Sequence, residues 1–196
     1  MVTFYLLNCA ASAQGRKLFY DVTRNGKVIG KMDVIEYITG NKRVLSMSSN
    51  VKTRYIFSFT DITTENAGYE NGVLVYSSYH QNQTGSSEAI RTTTSSGNLY
   101  KVTDNGVTKM VNFNPIHFGM LMLYFHVPDT ISKVFSGNYQ QLLDIKKIDE
   151  NKFRLSIPGG KYNYYTYKNG VCSKVEIIRP MVSLQFVLRD EETKQN

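Results

Sequence analysis

At 196 residues, with 41% hydrophobic and 12% aromatic content, the chain can bury one core of ordinary size and is too apolar for general disorder. A formal net charge of +7 favours anionic partners such as lipid headgroups or acidic glycans, but Lys27, Lys52, Arg54, Lys146 and Lys174 are spread out rather than clustered. They read as solvated strand faces, and with no nucleic-acid motif beside them nucleic acid is not an expected partner.

The first residues, Val2 to Gln14, read as the end of an apolar core followed by a small-residue cleavage site. Ala11-Ser12-Ala13 has the A-x-A form, which places a mature start near Gln14. No basic segment precedes it, and a short hydrophobic first strand is the competing reading. The expected organisation is residues 1–13 as a signal-peptide remnant and residues 14–196 as a single antiparallel β domain, exported to the periplasm or the cell exterior. Removal of the leader takes Cys9 with it and leaves Cys172 alone, so no intramolecular disulfide is expected.

Leu18, Tyr20 and Val22 alternate with Phe19, Asp21 and Thr23, and Asn25-Gly26 then supplies a two-residue hairpin turn. Val28, Gly30, Met32 and Val34 follow on one face. After a turn at Gly40-Asn41, a long strand region places Val51, Thr53, Tyr55, Phe57 and Phe59 on one side. Asn71-Gly72 opens another hairpin, with Val73, Val75 and Tyr79 in step. Residues 81–97 are polar and Ser/Thr-rich, an exposed hairpin or a mobile loop. Asp104-Asn105-Gly106 joins two further strands.

The segment from Pro115 to Pro128 breaks this pattern. It is apolar without alternation, rich in Met and Leu, and bounded by prolines that suit a helix start and enforce a helix stop by about Val127. It is expected to be the one helix of the fold, buried on most sides. It is too short to cross a bilayer, which takes roughly 20 residues, and no later segment qualifies. Residues 129–135 suit a short helix or an edge strand. Strands then recur over 142–148, 153–157, 162–167, 171–178 and 182–188, with turns at Pro158-Gly159-Gly160 and Asn169-Gly170. The expected fold class is all-β and mainly antiparallel, a strongly curved sheet or open β-barrel of about ten strands wrapped around one short helix, since large open sheets curl.

Tyr20-Asp21-Val22 with Asn25-Gly26-Lys27-Val28-Ile29-Gly30, and the later Ile157-Pro158-Gly159-Gly160-Lys161-Tyr162-Asn163-Tyr164 and Tyr167-Lys168-Asn169-Gly170-Val171, resemble an uncharacterised family of exported bacterial β-rich proteins classed as a domain of unknown function. The pattern is also distantly similar to curved-sheet carriers of lipoproteins and lipids in the bacterial envelope. That resemblance implies an apolar groove beneath a helix and supplies no functional residues.

Catalytic chemistry finds no seat in the sequence. His80, His117 and His126 lack ligand spacing, and no G-x-S-x-G elbow, P-loop or dinucleotide fingerprint occurs, so no metal, cofactor or catalytic residue is expected. Glu36 and Asp33 are the best inward carboxylates, although each suits an ion pair as well. Candidate ligand-binding residues are Phe118, Met120, Leu121, Met122, Tyr124 and Phe125 of the central segment, with Tyr164 and Tyr167 of the tyrosine-rich strand. The expected function is non-enzymatic binding of a lipid-like or other apolar or amphiphilic small molecule. A structural or protein-interaction module of the cell envelope is the alternative.

Overall fold

The structure, a computed structural model, describes residues 14–54, 58–179 and 183–189. The leader assignment over residues 1–13 lies outside these. The strands are β1 (Gln14–Arg24), β2 (Lys27–Thr39), β3 (Lys42–Arg54), β4 (Ser58–Glu70), β5 (Val73–Gln83), β6 (Ala89–Ser96), β7 (Leu99–Asp104) and β8 (Val107–Val111). After the central segment come β9 (Lys133–Ser136), β10 (Gln141–Asp149), β11 (Lys152–Ile157), β12 (Lys161–Lys168), β13 (Val171–Ile178) and β14 (Ser183–Leu188).

All fourteen belong to one antiparallel sheet in the order β8-β7-β6-β5-β4-β3-β2-β1-β14-β13-β12-β11-β10-β9. Two meanders therefore meet where the first strand pairs with the last, with Tyr20 opposite Leu188 and Thr23 opposite Gln185. The hairpin grammar is local. Asn25-Gly26, Asn71-Gly72, Asn105-Gly106 and Asn169-Gly170 each take positive φ at both positions, the type I′ geometry that matches strand twist.

The central segment does not form the expected helix. Its only helical element is a 3₁₀ turn, Met120–Tyr124. Upstream, the backbone spends its hydrogen bonds on the sheet instead. The Ile116 carbonyl accepts from Leu74 N at 2.8 Å and the Phe118 carbonyl from Phe135 N at 2.9 Å. Gly119 is extended (φ −112°, ψ 167°) and bridges Phe135, and a Cβ there would collide with the Tyr69 hydroxyl. The segment nevertheless plugs the curved sheet, burying Ile116, Leu121, Met122, Leu123 and Phe125. Among the described residues no helix is long and apolar enough to cross a membrane.

The strand count exceeds the expected ten for three reasons. The stretch read as one strand from Val51 to Phe59 reverses, with Arg54 paired to Ser58; residues 55–57 lie outside the described part. Residues 81–97 contribute the end of β5 and all of β6, and residues 133–136 form the edge strand rather than a helix. Bulges also shift the phase. Ile29 is the extra residue opposite the Val22–Thr23 step, so it packs inward while Val28 turns out to 58% exposure, not onto the Gly30 face. Val75 is the extra residue in β5, which brings Leu74, Ser77 and Tyr79 inward and breaks the expected Val73–Val75–Tyr79 row.

The sheet's two edge strands are β8 and β9, and the turn between β9 and β10 reaches across to β6 and β7. Gln140 Nε2 donates to the carbonyls of Thr92 at 2.8 Å and Thr103 at 3.0 Å, and Arg91 Nη1 donates to Asn138 Oδ1 at 2.9 Å. The result is a cup, with the plug at the end where β2 turns into β3.

Candidate functional site

Above the plug lies a cavity of about 610 Å³, within the range of small-molecule sites. Met120, Leu121 and Tyr124 form its floor. It extends toward the end of the cup that carries the β1–β2, β5–β6 and β11–β12 turns, where Arg24, Gln83 and Ile157 line it. One wall is mainly apolar: Ile29 and Met32 of β2, Met47 and Val51 of β3, and Val175, Ile177, Leu184 and Phe186 of β13 and β14, with Ser49 the polar residue between Met47 and Val51 and Arg179 just beyond β13. The other is polar, built by Asp61, Thr63 and Glu65 of β4 with Tyr79, Gln81 and Gln83 of β5.

The polar wall is internally ordered. Asp61 Oδ1 accepts from the Thr63 hydroxyl at 2.8 Å and Asp61 Oδ2 from Gln81 Nε2 at 2.7 Å. Glu65 is 7% exposed; burial pushes its carboxyl up to about 7, against the opposing pull of a hydrogen bond from the Gly137 backbone. Burial and the neighbouring Glu65 also raise the Tyr79 phenol above its ordinary value. On the far side Arg179 Nη2 donates to Asn163 Oδ1 at 3.0 Å, and Arg179 Nη1 donates to the Ile178 and Tyr162 carbonyls.

The sequence candidates distribute unevenly around this cavity. Met120, Leu121 and Tyr124 line it. Met122 and Phe125 are buried in the core, and Phe118 packs against it. Tyr167 is buried, its hydroxyl donating to the Leu123 carbonyl at 2.8 Å. Tyr164 lies on the outer face beneath Lys152, whose Nζ sits 5.2 Å from the ring centroid.

Glu36 points inward, but toward the plug end of the cup. It is 1% exposed and held by Arg16, by Arg43 Nε at 3.3 Å and by His126 Nε2 at 2.9 Å. Burial alone would raise its pKa; the hydrogen bonds and charges of His126 and Arg16 outweigh that and hold it below the ordinary carboxylate value. This is a structural ion cluster tying β1, β2 and β3 to the plug. Asp33 faces outward, and His117 is exposed, its Nδ1 3.0 Å from the Gly72 carbonyl, so no cleft joins the three. Cys172 is buried and its thiol is pushed up to about 12 by burial, the state of an inert core cysteine. Among the described residues no group of three His, Cys, Asp or Glu could hold a metal.

Sequence reading missed Asp61, Thr63, Glu65, Gln81 and Gln83. A signal was present in β4, where Asp61, Thr63 and Glu65 alternate with Ile62, and the apolar residue is the exposed one at 44%. Reading β3 and β4 as continuous hid that inversion.

These features define a barrel-like all-β domain, one curved antiparallel sheet closed at one end by its own chain around a cavity. The chain belongs to the family described as Domain of unknown function (DUF6134), whose profile matches residues 20–189. It is also similar to a solved structure, the crystal structure of a beta-barrel-like protein of the domain of unknown function DUF1849 from Brucella abortus. The two share 8% identity at a TM-score of 0.61, over 92% of this chain and 98% of that one, a likeness of fold alone. No curated protein sequence matches the chain.

Proposed function

We propose that this domain is a non-enzymatic carrier that holds one amphiphilic small molecule in the cavity above the plug. The observation that carries this is the cavity itself: about 610 Å³ within the curved sheet, with a mainly apolar wall facing a polar one. A filled interior would give the fold all the burial it needs, so maintaining this space costs stability that ligand binding offsets. The A-x-A form at Ala11-Ser12-Ala13 supports action outside the cytoplasm.

Native mass spectrometry of protein purified from its own host tests this. The expected result is a single bound amphiphile, released by denaturation, and its absence from an Ile177→Trp variant whose indole fills the space from β13. Recovery of empty wild-type protein that also takes up no added alkyl amphiphile would refute the reading. The exposed β8 edge, with Val107 at 76% and Met110 at 49% exposure, favours a second reading as an envelope protein-interaction module acting by strand addition.

A further inference from the structure

The division of the cavity wall runs along the strands rather than across them. On β4 and β5, successive inward rungs pair Asp61 with Gln83, Thr63 with Gln81 and Glu65 with Tyr79. On β13 and β14 the inward rungs are Val175 with Phe186 and Ile177 with Leu184. Six polar side chains on three rungs are unusual for an inward face, because polar groups removed from water cost free energy unless partnered. The outward Ile62 between Asp61 and Thr63 shows that the strand has apolar residues available and places them elsewhere.

The chemistry of the strip is selective. Amides and hydroxyls both donate and accept, carboxyls add acceptors, and none of the six carries a positive charge. A phosphate or carboxylate head would meet Asp61 on the strip, while the arginines that line the cavity, Arg24 and Arg179, lie off it. A trimethylammonium head could lie against Asp61 but brings no donor or acceptor for the remaining hydrogen-bonding positions of Gln81, Gln83 and Tyr79. Vicinal hydroxyls satisfy both requirements, since each donates once and accepts twice. From this we infer that the β4–β5 strip is a subsite for the sugar or other neutral polyol head of the bound amphiphile, whose alkyl part lies against β13 and β14. The inference rests on the carrier reading above.

Isothermal titration of the full chain with dodecyl maltoside, dodecanoate, dodecyltrimethylammonium and free maltose, each below its micellar threshold, separates the two claims. The maltoside is expected to bind at least about tenfold more tightly than either charged amphiphile, because a site built to hydrogen-bond hydroxyls penalises ligands lacking them. A Thr63→Val, Gln81→Met double variant should lose about tenfold in maltoside affinity while keeping dodecanoate affinity. Gln83→Leu, toward the open end of the strip, gives the same test if the double variant does not fold. Equal affinity for all three alkyl ligands would overturn the polyol subsite and leave the carrier reading standing. Binding of no alkyl ligand overturns the carrier reading, and maltose binding as tightly as the maltoside would show that the apolar wall plays no part.

Discussion

Glu36 and Glu65 are both buried, and their surroundings move their proton affinities in opposite directions. Glu36, held by His126 and Arg16 despite its burial, titrates below its ordinary 4.5. It therefore stabilises the fold above pH 4.5, and that contribution disappears as pH falls through the depressed value. Glu65, raised to about 7 by burial, favours the fold as the neutral acid; its contribution is complete below pH 4.5 and fades as pH rises toward 7. These two groups alone place maximal stability at or just below pH 4.5. Replacing Glu65 by Gln should raise stability at pH 8 by about 2–3 kcal/mol and flatten the profile between pH 4.5 and 7. Thermal unfolding of both proteins across that range checks it, and parallel profiles would mean that the buried carboxyl does not titrate with folding. Glu36→Gln should instead cost about 3 kcal/mol at neutral pH, since it leaves two guanidinium groups without their carboxylate.

At the scale of elements, the plug is anchored by hydroxyls from distant strands. Tyr100 of β7 accepts from Ile116 N at 3.2 Å, while Tyr167 of β12 donates to the Leu123 carbonyl at 2.8 Å. Tyr167→Phe leaves that carbonyl buried and unpaired, at an expected cost of about 1–3 kcal/mol in denaturant titration. The same substitution at outward-facing Tyr162, 37% exposed, should cost under about 0.5 kcal/mol. The hairpins were legible in the sequence because Asn-Gly pairs dictate their own turn. The plug was legible as a buried apolar segment but not in its conformation. Prolines and Met-rich composition suit a helix, and nothing local reveals that Leu74 and Phe135 will claim the backbone of Ile116 and Phe118. The bulges at Ile29 and Val75 were likewise invisible, since a one-residue insertion inverts every later face without changing composition. Of the cavity, the floor at Met120, Leu121 and Tyr124 could be read, whereas the polar wall required knowing where β3 ends.

For the molecule as a whole, nearly every strand pairing joins sequence neighbours, and the exception is β1 with β14. The Thr23 hydroxyl donates to the Gln185 carbonyl across 162 residues, and the Tyr20 hydroxyl to the Cys172 carbonyl across 152. Local hairpins of this kind form in microseconds, while a junction between the chain's two halves must first overcome the entropy of closing the loop between them. Stopped-flow refolding should therefore report that junction. Phe186→Leu, within it, is expected to slow refolding, whereas a truncation of similar cost such as Val102→Ala in β7 should chiefly accelerate unfolding. Until that junction forms, the chain is two ribbons with two extra unpaired margins, β1 and β14, which makes the interval before closure the period of greatest exposure to self-association.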